Sequence, residues 1–137
     1  MDPTFGAARS TLGEVYMLKS MYPEAIAELK KAVEHTPGGP AQISALGNAY
    51  AQSGDRAAAR KVLDQILAER SRRYFPGARI ALVYVGLGDK DGAFEWLRRA
   101  VEDRDNWVTF AKMKPEYDPL RSDPRWADLL RRMNLAP

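Results

Sequence analysis

The chain has 137 residues, of which 45% are hydrophobic and 28% charged, enough for one domain around one continuous core. It contains no cysteine, which excludes disulfides and thiolate metal sites and suits a reducing cytoplasm. The net charge of +3 comes from interleaved acids and bases, so a nucleic-acid partner is not expected. No apolar run reaches the 18 or so residues of a membrane span, and Met1 to Gly6 lacks the basic start and apolar stretch of a secretory leader.

Taken in order, the chain predicts helices over 7–20, 23–35, 40–53, 55–70, 76–87 and 89–103. Pro23 falls in the first turn of the second helix. In that helix Ala25, Ile26, Leu29, Ala32 and Val33 form one apolar stripe, and Ala93, Phe94, Leu97, Ala100 and Val101 reproduce it in the sixth. Pro37-Gly38-Gly39-Pro40 separates the second helix from the third. Gly54-Asp55 and Gly88-Asp89 each join a helix-ending glycine to an N-capping aspartate. Beyond Asp105, residues 106–113 allow a short helix with Trp107, Val108, Phe110 and Ala111 on its apolar side. A turn follows over 114–119, and a last helix opens with Asp123 as N-cap and Pro124 in its first turn. Trp126, Leu129, Leu130 and Met133 are that helix's buried stripe.

The six main helices repeat with a period of 34 residues. Leu12, Leu46 and Ile80 align, as do Gly13, Gly47 and Ala81, and Tyr16, Tyr50 and Tyr84. In the second helix of each pair Ala25, Ala59 and Ala93 align, then Leu29, Leu63 and Leu97, then Ala32, Ile66 and Ala100. Small residues at fixed places let two antiparallel helices approach, and the large ones fill the space beside them. A single helix pair cannot bury its stripe, so the pairs must stack.

Leu12-Gly13-x-x-Tyr16, Leu46-Gly47-x-x-Tyr50, the Ala-x-x-x-Leu of each second helix and Pro37 resemble the tetratricopeptide repeat. The departures are Arg9, Ile43 and Gly77 at the early tryptophan position, and Ser71 and Asp105 at the terminal proline. The resemblance implies an all-α protein, a right-handed α-solenoid of three hairpins (6–39, 40–73 and 74–107). A capping segment over 106–137 completes a single domain. The stretch from Tyr117 to Met133 is also similar to the ending of bacterial repeat proteins attached to winged-helix regulators, adenylate cyclases or Ser/Thr kinases. That similarity implies an alternative role as the C-terminal regulatory or sensor region of a larger signalling protein.

Chemistry is not marked. His35, the only histidine, sits in the last turn of a helix, where its charge suits the macrodipole. Glu14, Glu28, Glu95 and Glu102 form no recognisable acid–base pair, and Gly86-x-Gly88 fits a helix end better than a phosphate loop. No catalytic, cofactor or metal residue is assigned, and an enzyme is not expected. Arg70, Arg72 and Arg73 crowd one helix terminus, where the dipole favours them; a docking patch for an acidic partner or nucleic acid is the alternative.

The expected function is therefore binding of a protein or peptide, with self-association into a homodimer as a further alternative. The family resemblance puts a ligand on the concave face formed by the first helix of each pair. Groove positions there are held by Ser10, Glu14 and Met17, by Ser44, Asn48 and Gln52, and by Phe75, Leu82 and Val85. The competing expectation is that several of these line the core or touch the C-terminal segment. A subtype of the family grips acidic chaperone tails with lysine and asparagine. Its lysine is replaced by Ser10, Ser44 and Ala78 and only Asn48 survives, so no such clamp is expected.

Overall fold

A computed structural model describes residues 3–36, 39–72, 74–105, 108 and 114–133, with side chains described from Ala8 onward. Among these residues the chain is helical and contains no strand. Six helices form three hairpins: α1 (Pro3–Leu18) with α2 (Tyr22–His35), α3 (Pro40–Gln52) with α4 (Arg56–Arg70), and α5 (Gly77–Gly86) with α6 (Lys90–Glu102). A 3₁₀ turn (Pro115–Leu120) and α7 (Pro124–Arg132) follow. Each boundary lies within a few residues of the one read from the sequence. The predicted helix over 106–113, with Trp107, Phe110 and Ala111, lies outside the described residues apart from Val108, which is buried. Pro37, Gly38 and Arg73 also lie outside them.

The hairpin turns share one hydrogen-bond plan, set by the aligned tyrosines. The Tyr16, Tyr50 and Tyr84 carbonyls accept from the amides of Met21, Asp55 and Asp89 at 2.9, 2.9 and 3.0 Å. This five-residue return requires a left-handed residue just before the second helix. Gly54 and Gly88 supply it with φ of +94° and +76°, but the equivalent residue in the first hairpin is Ser20, at φ +58°. The Asp55 and Asp89 carboxylates then accept from the amides of Ala58 and Gly92 and cap α4 and α6. Met21 gives α2 no side-chain cap.

The period places the core. Ala25, Ala59 and Ala93 are wholly buried, and so are Leu29, Leu63 and Leu97. The stack is uneven between repeats. Of the preceding hairpin, α3 meets chiefly α2 and only lightly α1, whereas α5 meets chiefly α3 and only lightly α4. At the C-terminal end Trp126 and Leu129 of α7 join Phe94 and Leu97 of α6 in one cluster. Arg125 fastens this contact by pairing with Asp91 at 2.7 Å and lying 4.5 Å from the centre of the Phe94 ring. Covering the open end of a helical stack is what a terminal cap must do.

Candidate partner-binding surfaces

The first helices of the three hairpins carry the expected groove residues except Phe75, which precedes α5, and most are turned to packing. Ser10, Ser44, Asn48, Phe75, Leu82 and Val85 are buried, Glu14 and Met17 are half-buried, and Gln52 is exposed. Leu82 and Val85 belong to the core cluster of the third hairpin and Phe75 to that of the second. The polar members have partners within the chain. Asn48 Nδ2 donates to the Leu82 carbonyl at 3.0 Å, joining α3 to α5. Ser44 Oγ donates to the Pro40 carbonyl and accepts from Arg79 Nε at 2.8 Å. Arg79 Nη2 donates to the Ala41 carbonyl at 2.8 Å, so a buried guanidinium is held by oxygens of α3.

What remains of that face is roofed by the 3₁₀ turn. Its Tyr117 is buried and donates its hydroxyl to the Ala78 carbonyl at 2.7 Å. Lys114 Nζ stands 3.9 Å from Glu14 of α1. Glu116 lines a space of only about 20 Å³ with Glu14, Met17, Asn48, Arg79 and Leu82. Burial lifts the Glu116 carboxyl above its ordinary pKa, with Lys114 drawing it back and Glu14 adding to the rise. The chain's own C-terminal segment thus occupies the place expected for a ligand.

The larger opening lies between the C-terminal halves of α2 and α4 and has a volume of about 690 Å³. Ile43, Leu46, Val62, Ile66 and Phe75 give it an apolar lining, with Val33 on the α2 side. Gln65, Glu69 and Arg72 stand along the α4 side. Convergent apolar lining with a few polar groups is the usual character of a recognition site. Sequence reasoning missed this groove, although Phe75, placed elsewhere by it, is one of its walls.

The basic cluster at the end of α4 separates on inspection. Arg70 donates to the Phe75 carbonyl, pairs with Asp103 at 3.0 Å and lies 4.8 Å from the centre of a Trp96 ring. It ties α4 to the third hairpin. Arg72 pairs with Glu69 at 3.5 Å on the surface. His35 occupies the last turn of α2. Among the described residues no group of three or more histidines and carboxylates is arranged around a metal-sized site, and no helix is long and apolar enough to cross a membrane.

Comparison with known families agrees with the architecture. Residues 17–75 match one tetratricopeptide repeat family and residues 78–102 match a second of the same description, together more than half of the chain. The chain belongs to the tetratricopeptide repeat proteins, whose repeats generally serve as non-catalytic modules of protein–protein interaction. No curated protein and no solved structure matches it significantly.

Proposed function

We propose that this chain is a non-enzymatic interaction module that binds a protein or peptide, and that the partner inserts apolar side chains between α2 and α4. The observation that supports this is the 690 Å³ groove, whose apolar lining spans two repeats beside a polar edge. An amphipathic helix or an extended segment with spaced apolar anchors has the matching chemistry. The concave face, by contrast, retains about 20 Å³ beneath Glu116. It would take a ligand only after residues 114–121 had left it.

Photo-crosslinking distinguishes the two surfaces. A crosslinking residue at Gln65, on the α4 side of the groove, is expected to capture the partner, and one at Gln52, exposed at the end of α3, is not. Capture from Gln52 alone would move the binding surface back to the concave side. A substitution Ile43→Glu, which places a charge at the groove floor, is expected to lower affinity at least tenfold while the helical circular dichroism stays unchanged.

A further inference from the structure

Four of the five large hydrophobic side chains that stand exposed among the described residues lie together. Leu12, Val15 and Leu18 are on α1 and Met21 is in the turn after it, with exposures of 39, 40, 68 and 38%. At about 100° per residue, Leu18, Thr11, Val15, Ala8 and Leu12 fall within an arc of roughly 120° on α1. No residue on that arc between Ala8 and Leu18 is charged; Lys19 falls on the arc but lies one residue beyond the helix end.

The repeat shows what this face is for. Leu12 corresponds to Leu46 and Ile80, and Val15 to Ala49 and Val83, one and two periods on. All four counterparts are buried, Leu46 and Ala49 in the cluster with Leu29, and Ile80 and Val83 in the cluster with Val62 and Leu63. The exposed face of α1 is therefore the surface by which a hairpin stacks on another, here without a hairpin against it.

We infer that α1 pairs with α1 of a second copy of this chain about a two-fold axis. Head-to-tail stacking would require a free face at the other end, and Trp126 and Leu129 already cover the last hairpin. Between copies of this chain the remaining contact is like face on like face, the symmetry of most small assemblies. The absence of charge along the helical part of the arc favours it, since a charged side chain near its middle would be set against its own copy. In an antiparallel arrangement centred between Leu12 and Val15 the two Lys19 residues lie at opposite ends and do not meet.

The experiment is a solution mass of the full chain by multi-angle light scattering over a dilution series. The expected mass is twice the 15.3 kDa of one chain. Leu18→Glu and Val15→Glu are each expected to halve it with helical content retained; Leu18 is exposed enough that its replacement does not threaten the fold. A 15.3 kDa species for the unaltered chain at its highest soluble concentration would overturn the inference. So would a dimer that survives Leu18→Glu, because the contact would then lie elsewhere. The chain has no cysteine, so an equimolar mixture of the Leu12→Cys and Val15→Cys single variants, neither of which can close a bridge within its own helix, supplies an independent readout. Mild oxidation should give a covalent dimer, and a chain that stays unlinked counts against the pairing.

Discussion

The hydroxyl of Tyr117 donates to the carbonyl of Ala78 at 2.7 Å, joining the 3₁₀ turn to the first turn of a helix 39 residues earlier in the chain. The amide of the same Ala78 donates to the Asp105 carboxylate at 3.3 Å. One small, fully buried residue is thus held through its main chain by two groups that follow the second helix of the last hairpin. Tyr117→Phe removes a single buried hydrogen bond and should lower stability by about 1 kcal/mol. Tyr117→Ala also empties the ring's site and should cost about 3–5 kcal/mol. Urea unfolding of the three proteins checks both values.

Ser20 stands at the left-handed position that Gly54 and Gly88 hold in the other two hairpins. A side chain there carries a steric cost that glycine avoids. Ser20→Gly should raise stability by about 0.5–1 kcal/mol, and Gly54→Ala should lower it by about 1 kcal/mol. The two changes act in separate turns, so thermal unfolding of the double variant should show them adding.

A Cβ at Gly77 would stand 2.7 Å from the Trp96 carbonyl oxygen and 3.3 Å from Ala100. The nearest obstacle is backbone, so α5 and α6 must separate to admit it. Gly77→Ala should cost about 1–3 kcal/mol despite alanine's better helix propensity. The control is Gly88→Asn, at an exposed turn with φ +76° and open space around it, which should be nearly neutral. Denaturation midpoints compare the pair.

Two carboxyls of the C-terminal segment give opposite responses to acid. The hydrogen bonds that Asp123 receives from the Arg125 side chain and amide hold its pKa down at about 2, against an ordinary 3.8. Its contribution is complete above 3.8 and is lost as the pH falls through about 2. Asp123→Asn keeps a capping side chain and should remove that acid-side loss. Glu116 is raised by burial, so its ionised form opposes docking of the 3₁₀ turn at neutral pH and protonation relieves the opposition. Glu116→Gln should therefore be more stable than the unaltered chain at neutral pH, with the difference vanishing below the ordinary glutamate range. Chemical unfolding midpoints measured across pH for both variants test the two signs.

The helices and their packing faces were legible because both are local. The 34-residue period named Leu29, Leu63 and Leu97, and all three are wholly buried. Leu12 fits the same pattern yet is exposed, since periodicity reports which face wants a partner and not whether one arrives. The binding surfaces were less legible. Ser44 and Asn48 look like groove residues from their helical positions. The groups that satisfy them, Arg79 and the Leu82 carbonyl, lie 35 and 34 residues away, about one period on, and the period does not say whether a side chain turns to the next repeat or to the groove. Residues 115–120 carry no helical period, so nothing in them announced that Tyr117 would be buried. The α2–α4 groove is built from ordinary core types. Its walls come from α2, α3, α4 and the segment before α5, and the gap between them is a property of the stack and not of any one helix.

The walls of this groove belong to neighbouring repeats, Val33 on one side and Val62, Gln65 and Ile66 on the other. A partner lodged there, as proposed above, would touch the first and second hairpins at once. Its grip would depend on how the two hairpins are set against each other, so the site reads the join between repeats and not either repeat alone.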